Sequence, residues 1–175
     1  KVMVDRALKN PKIEVIYNGI DTNVYFPRIS INVLDKYNIQ SPFALFVGRI
    51  TRQKGLIHLI NAWNEVSPEI GLVIAAGSPD EPEIGNSVKQ AILELQSKRK
   101  NIIWLEGKVD QEELINLYSA AALFICPSIY EPLGIVNLEA MACETAVLAS
   151  RVGGIPEVVV DGETGWLVDY VEDAK

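Results

Sequence analysis

The octapeptide Gly48–Gly55 carries three positive charges directly after an apolar run. Its sequence is GRITRQKG, so Arg49, Arg52 and Lys54 lie close together. This pattern is typical of a parallel strand and the loop at its carboxyl end, where open parallel sheets bind ligands. Cations in such a loop suit a phosphate group, although the same charges on an exposed loop need no ligand. The octapeptide is neither a Walker phosphate loop nor a G-x-G-x-x-G fingerprint, so both ready-made phosphate motifs are absent.

A second candidate site lies in residues 127–139, which read PSIYEPLGIVNLE. The pattern predicts a short loop followed by an apolar helix with Gly134 in its first turn. The first backbone N–H groups of a helix have no intrahelical partner, and together with the helix dipole they form a site for an anion. A glycine at this position lets a ligand approach those groups closely.

Two glutamates flank the predicted helix start. Glu139 lies within the apolar helix, where an unpaired carboxylate would be costly, so it needs a partner. That partner is a structural cation, a proton, or the hydroxyls of a ligand such as a ribose diol. Glu131 lies before the helix, where it can face the same crevice. We favour the ligand interpretation because two carboxylates and a set of helix amides point to one place.

The remaining polar and aromatic features favour structural roles. The glycine pair in residues 152–157 (VGGIPE) predicts a tight turn more than a ligand site, and His58, the only histidine, is predicted at the surface, as is Glu144. The three tryptophans are predicted to belong to the core: Trp63, Trp104 and Trp166. No C-x-x-C pair or histidine-rich cluster predicts a metal site.

Short apolar runs alternate with amphipathic stretches, which predicts a parallel sheet covered by helices. The predicted strands are Ile13–Tyr17, Phe43–Val47, Leu72–Ala76, Ile102–Leu105, Leu123–Cys126, Ala146–Ala149 and Trp166–Val168. The predicted helices are Gly55–Val66, Glu83–Arg99 (with Val88, Ile92, Leu93 and Leu95 buried), Gln111–Ala121 (capped by Asp110), Leu133–Cys143 and a short turn at Pro156–Val160. The fold class is therefore α/β, a doubly wound Rossmann-like parallel sheet in one domain over residues 1–175.

Composition and charge narrow the class of protein. With 175 residues, of which 49% are hydrophobic and 22% charged, the chain has the composition of an ordinary globular domain. A net charge of −7 and a pI near 4.8 argue against nucleic-acid binding, which needs a basic face. No apolar run reaches the roughly 20 residues that cross a bilayer, and we expect no membrane partner. Cys126 and Cys143 follow no disulfide pattern, so we expect free thiols and a cytoplasmic location.

Four motifs together resemble the C-terminal, donor-binding domain of retaining glycosyltransferases with the GT-B fold. They are YNGID from Tyr17, GRITRQKG from Gly48, PSIYEPLGIVNLEAMAC from Pro127 and GGIPEVV from Gly153. Their order and spacing match that family over most of the chain, and Glu131 and Glu139 have its E-x7-E spacing. The chain resembles bacterial glycogen synthases most, within them the actinobacterial group that includes maltose-1-phosphate synthases. One departure is that many members have Gly and Pro where this chain has Glu144 and Ala146.

The resemblance implies a role for each matching residue. Arg49 and Lys54 would bind the diphosphate of the donor and stabilise the departing nucleoside diphosphate, while Glu131 would contact the glucosyl unit. The remaining donor-binding positions would be Gly48, Val109 (near the base), Leu133, Gly134 and Ile135 (through backbone amides) and Glu139 (at the ribose). In this interpretation the reaction requires no metal and no other cofactor.

The resemblance also implies what the chain works with. The donor would be ADP-glucose or UDP-glucose, with ADP-glucose favoured. The acceptor would be an α-glucan, bound by an N-terminal GT-B domain that this chain lacks, so we expect a fragment that is inactive alone. Other functions remain open, namely a sucrose- or lipid-directed glycosyltransferase of the same superfamily, or a non-catalytic sugar-nucleotide-binding module.

Overall fold

The computed structural model describes residues 16–169 of the chain. Its strands are β1 (Phe43–Ile50), β2 (Gly71–Pro79), β3 (Ile102–Glu106), β4 (Leu123–Cys126), β5 (Val147–Ser150) and β6 (Gly165–Val168). Its helices are α1 (Ile31–Lys36), α2 (Leu56–Ala62), α3 (Pro82–Lys98), α4 (Gln111–Ala120) and α5 (Ile135–Ala142). Short 3-10 helices occupy Arg52–Lys54, Trp63–Glu65 and Ile155–Glu157. The six strands form one parallel sheet in the order β3-β2-β1-β4-β5-β6.

Helices cover both faces of this sheet. The buried side chains of α2 and α3 join one apolar cluster, and those of α4 and α5 join a second cluster on the opposite face. Along β1, Phe43 and Leu45 belong to the second cluster, whereas Ala44 and Phe46 belong to the first. A strand that is buried on both faces reads as a continuous apolar run. The predicted doubly wound α/β fold is therefore confirmed.

The strand order reverses beside β1. From β1 the chain runs outward through β2 to β3, and it then returns to place β4 on the other side of β1. In open parallel sheets, ligands bind in the crevice outside the carboxyl ends of the strands at such a reversal. The loops that leave this point are residues 51–55 after β1 and residues 127–134 after β4. These loops belong to the first two candidate sites of the sequence.

Several predicted boundaries at this edge of the sheet are wrong, and two of them bear on the candidate site. β1 continues past Val47 through Gly48 and Arg49, because these residues pair with the end of β2, so both lie in a strand and not in a loop. α5 begins at Ile135 and not at Leu133, because Gly134 has a φ of +80° and a left-handed residue cannot belong to the helix.

Two burial predictions are also wrong. Leu93 is 54% exposed, because α3 turns a single stripe towards the sheet and that stripe consists of Val88, Ile92 and Leu95. Trp166 is 56% exposed, because it lies on the edge strand β6, where successive side chains alternate between faces. Trp63 is buried as predicted, and Trp104 is half-buried.

Several local predictions can be checked in the same way. The Asp110 side chain caps α4 by accepting a hydrogen bond from the Glu113 backbone N–H at 2.9 Å, as predicted. The two cysteines are buried free thiols. The short helix α1 was not predicted, because six residues are too few for a helical period to show. The predicted strand Ile13–Tyr17 lies largely outside the described residues, and its last two positions are not in a strand.

Between residues 16 and 169, none of the helices combines the length and the apolar character needed to span a membrane.

Candidate functional site

The loops after β1 and β4 are joined at the crevice. The Ile129 backbone N–H donates a hydrogen bond to the Gln53 carbonyl oxygen at 2.8 Å. Gly55 has a φ of +63°, and a Cβ atom there would lie 2.0 Å from the Pro127 carbonyl oxygen. A side chain at residue 55 would thus both strain the backbone and push the two loops apart. Glycine at this position lets the first loop lie directly against the second.

This close approach brings Lys54 and Glu131 together. Lys54 Nζ lies 2.5 Å from Glu131 Oε2, and the two side chains are only 22% and 10% exposed. The Ser128 hydroxyl, fully buried, also donates to Glu131 Oε2 at 3.4 Å. Lys54 and Glu131, to which the family resemblance gives roles at the diphosphate and the sugar, therefore form one buried ion pair at the strand-order reversal.

Arg49 lies at the same edge but outside this pair. Its guanidinium nitrogen Nη1 lies 2.8 Å from both carboxylate oxygens of Asp80, and the two side chains are 65% and 46% exposed. Asp80 follows β2, whose end pairs with Ile50 of β1. Asp80 was not among the candidate site residues of the sequence. Its position after the strand next to β1 was the signal that could have identified it.

Gly134 ends the second loop and caps α5. It is buried, and a Cβ atom there would lie 2.5 Å from Asn137 Nδ2 and 3.3 Å from Glu131 Cγ. Both the positive φ and the lack of space therefore require glycine. Leu133 on one side is half-buried, and Ile135 on the other is exposed. The backbone N–H groups at the start of α5 thus lie beside the Glu131 side chain, where they can bind an anion.

The glycine pair of the third motif supports the same loop. The Gly154 backbone N–H donates to the Glu131 carbonyl oxygen at 2.9 Å. A Cβ atom would lie 1.9 Å from the Glu131 carbonyl oxygen at Gly153, and 2.1 Å from the Pro132 carbonyl oxygen at Gly154. The predicted tight turn therefore has a packing reason, because only glycine allows the two backbone segments to approach so closely.

Glu139 lies half-buried on α5 and has a tyrosine as its partner. The fully buried Tyr118 donates its hydroxyl hydrogen bond to Glu139 Oε2 at 2.9 Å. Burial raises the pKa of Glu139 above its ordinary value, while hydrogen bonds from Tyr118 and Tyr25 act in the opposite direction. Tyr25 in turn accepts a hydrogen bond from Gln111 Nε2 at 3.2 Å. The sequence reasoning missed Tyr118, because a tyrosine in the apolar stripe of a helix reads as core.

The last two predicted positions, Gly48 and Val109, have their contacts within the domain. Gly48 lies in β1, where an added Cβ atom would lie 3.3 Å from the Phe46 ring and 3.8 Å from Lys54 Cδ. Val109 lies on the loop between β3 and α4, where its half-buried side chain packs against the apolar cluster beneath α4 and α5. His58 and Glu144 are exposed, as predicted.

Residues 34–175 match the protein family described as "Glycosyl transferases group 1". The chain is 47% identical over 169 residues to the α-maltose-1-phosphate synthase of Mycolicibacterium smegmatis, covering 94% of the chain and 44% of that protein. It is 34% identical over 167 residues to the D-inositol 3-phosphate glycosyltransferase of Corynebacterium glutamicum, covering 90% of the chain and 40% of that protein. The chain thus spans less than half the length of these curated relatives.

Two solved structures have the same fold. Sucrose-phosphate synthase from Thermosynechococcus elongatus superposes with a TM-score of 0.80 at 30% identity, over 96% of this chain and 42% of that one. Anabaena HepE in complex with UDP and glucose superposes with a TM-score of 0.77 at 26% identity, over 89% of this chain and 43% of that one.

Proposed function

The chain belongs to the glycosyl transferases group 1 family, and we propose that it is the donor-binding half of a retaining enzyme that transfers glucose from a nucleoside diphosphate glucose. The observation that carries this proposal is the buried Lys54–Glu131 pair at the strand-order reversal, beside the start of α5. A cation, a carboxylate and a helix N-terminus at one point match the charged and hydroxylated parts of such a donor.

The diphosphate would bind to the positive groups of the crevice. A lysine ammonium has three N–H donors, so Lys54 can hold Glu131 and still donate to phosphate oxygens. Amides at the start of α5 would contribute further donors, and Arg49 could move from Asp80 because both side chains are exposed. When the bond between sugar C1 and the phosphate oxygen breaks, negative charge collects on the phosphate. Fixed donors and cations stabilise that charge most strongly in the transition state.

The two carboxylates would hold the hydroxylated parts of the donor. Glu131 lies next to Lys54 and Gly134, so it would accept hydrogen bonds from the glucosyl hydroxyls beside the diphosphate. Glu139 lies about one turn into α5 and would accept those of the ribose. Val109, on the loop before α4, would pack near the base, and Gly48, Leu133 and Ile135 complete the proposed donor site.

We also propose where the acceptor binds and what kind of molecule it is. An N-terminal domain outside this chain would bind the acceptor, which the resemblance to glycogen synthases implies to be an α-glucan. The curated relatives named α-maltose-1-phosphate synthase favour a smaller, phosphorylated glucose acceptor within the same chemistry. ADP-glucose remains the favoured donor, and the cytoplasmic location remains a prediction from the two unpaired thiols.

Calorimetric titration of the 175-residue chain with ADP and with UDP, without added metal, tests the proposal. We expect a dissociation constant of about 0.1–1 mM, because half of the cleft is contributed from outside this chain. Lys54→Ala should abolish binding. Lys98→Ala is the matched control, because Lys98 also pairs with a glutamate, at 2.7 Å, but on the exposed surface of α3.

Each outcome has a distinct meaning. Preference for ADP that is lost with Lys54→Ala supports the glucosyltransferase proposal with ADP-glucose as donor. Preference for UDP keeps the proposed site but changes the donor, in favour of a sucrose- or lipid-directed transferase. Equal binding by the unaltered chain and Lys54→Ala, or no binding at millimolar nucleotide, contradicts the proposed diphosphate site.

A further inference from the structure

Tyr118 is held in one orientation by its surroundings. Its ring packs edge-on against Phe124, with 5.4 Å between ring centroids and 69° between ring planes. Its backbone carbonyl oxygen accepts a hydrogen bond from the buried Thr145 hydroxyl. The side chain is fully buried, and its hydroxyl donates to Glu139. A buried phenol needs such a partner, and here the partner is a carboxylate of the proposed donor site.

A second tyrosine reaches the same carboxylate from another part of the chain. Tyr25 belongs to residues 16–30, which precede α1, and its phenol interacts with Glu139 while it accepts from Gln111. Residues 16–30 are hydrogen-bonded to α4, because the Arg28 backbone N–H donates to the Ser119 hydroxyl at 3.1 Å. Ser119 directly follows Tyr118 in the sequence. Residues 16–30 are therefore bonded to the helix that carries Tyr118, the donor to Glu139.

We propose that Tyr118 is a positioning residue that holds the Glu139 carboxylate so that its remaining lone pairs accept the two hydroxyls of a ribose diol. This inference rests on the proposed function. An ionised carboxylate can accept about four hydrogen bonds. Tyr118 supplies one donor, and a vicinal diol can supply two more. The Glu139 carboxylate therefore has acceptor sites left for both hydroxyls of the diol while it is bound to Tyr118.

The protonation state of Glu139 adds a pH dependence. Among residues 16–169, the titratable groups that interact with this carboxylate are Tyr25, Tyr118 and Cys143. A protonated Glu139 has fewer acceptor sites, so nucleotide affinity should decrease as the pH falls through its raised pKa. Tyr118→Phe removes a donor that favours the ionised form, so it should raise this pKa and move the loss of affinity to higher pH.

The first measurement is the pKa of Glu139 in the unaltered chain and in Tyr118→Phe. It is obtained from the carboxyl ¹³C NMR signal of Glu139 as a function of pH. We expect an increase of about one unit in Tyr118→Phe, because hydrogen bonds to a charged group are among the stronger ones. Tyr37→Phe is the matched control, because Tyr37 donates in the same way to a different carboxylate, that of Glu113 in the first turn of α4, at 2.8 Å. An unchanged pKa of Glu139 in Tyr118→Phe overturns the inference.

The second measurement compares the affinity of each chain for ADP or UDP with that for the 2′-deoxy nucleotide. If Tyr118 has a positioning role, Tyr118→Phe should weaken the affinity for the ribonucleotide about tenfold. It should weaken the affinity for the 2′-deoxy nucleotide no more than about twofold. In a Glu139→Gln background the same change should have almost no effect. Equal losses for both nucleotides would mean that Tyr118 supports the fold only. Absence of nucleotide binding by the unaltered chain overturns the proposed function along with this inference, whereas binding with equal losses overturns this inference alone.

Discussion

Two of the ion pairs at the carboxyl edge of the sheet, Lys54–Glu131 and Arg49–Asp80, have similar chemistry and very different surroundings. Lys54–Glu131 is largely buried between two loops, whereas Arg49–Asp80 lies on exposed strand ends. An exposed pair contributes little to stability and can exchange partners at small cost. Loss of one partner from a buried pair leaves an unpaired charge in the interior. The buried Lys54–Glu131 pair therefore stabilises the structure of the site. In the exposed Arg49–Asp80 pair, the arginine can leave its partner to bind an anionic ligand.

The largest difference should appear in stability. Lys54→Met leaves the Glu131 carboxylate buried without its cation, so we expect the free energy of unfolding to fall by about 3–5 kcal/mol. Arg49→Met should cost less than about 1 kcal/mol. Urea denaturation of both variants measures the two values. Adding Glu131→Gln to Lys54→Met should recover much of the loss, and equal costs for the two single variants would contradict the contrast.

The contact between the two loops can be broken without touching a charge. Gly55→Ala should lower the free energy of unfolding by about 2–4 kcal/mol, because the new methyl group meets the Pro127 carbonyl and the backbone is left-handed. Gly162→Ala is the matched control. Gly162 has a similar φ, +80°, but nothing within 4 Å of the added atom, so only about 1 kcal/mol is expected.

Hydrogen exchange at the Ile129 amide gives a second measure of Gly55→Ala. This amide bonds to Gln53 across the loop contact, so its exchange should become faster in Gly55→Ala and stay unchanged in Gly162→Ala. Faster exchange in both variants would mean that the backbone strain, and not the clash between loops, determines the effect.

Most of the fold could be predicted from the sequence because the strands are buried on both faces. Such strands appear as apolar runs, and β4 matches its prediction at both ends. The end of β1 could not be predicted, because Gly48 and Arg49 interrupt the apolar run. Only their pairing with Ala76 and Gly77 of β2 shows that they extend the strand, and such pairing is a tertiary property.

The candidate site was predictable in its location but not in its contacts. The strand–loop–helix pattern placed Lys54 and Glu131 in loops that meet at the same crevice. That they form a salt bridge depends on the close approach at Gly55, which depends on the three-dimensional path of both loops. Tyr118 could not be identified, because a buried tyrosine and a core aromatic residue look alike in a helical pattern.

The exposed pair should act on nucleotide affinity more than on stability. If Asp80 competes with the diphosphate for Arg49, Asp80→Asn should strengthen ADP binding about threefold, since one competing carboxylate is removed. Calorimetry measures this change, and Asp110→Asn is a control, because Asp110 is an acid of the same edge that caps α4. Weaker binding with Asp80→Asn would mean that Asp80 orients Arg49 and does not compete for it.

Salt should weaken the coupling free energy of the exposed pair more than that of the buried pair. This is the smallest of the expected effects, but it tests the difference in exposure directly. Double-mutant cycles with urea denaturation give a coupling free energy for each pair at low salt and at 1 M NaCl. For Arg49–Asp80 we expect a coupling of about 0.5 kcal/mol that falls nearly to zero, because the Debye length shrinks to about 3 Å. For Lys54–Glu131 most of the coupling should remain, because neither side chain is readily reached by ions. An equal loss of coupling free energy in both cycles would show that water and ions enter the loop contact. The Lys54–Glu131 pair would then exchange partners as easily as Arg49–Asp80.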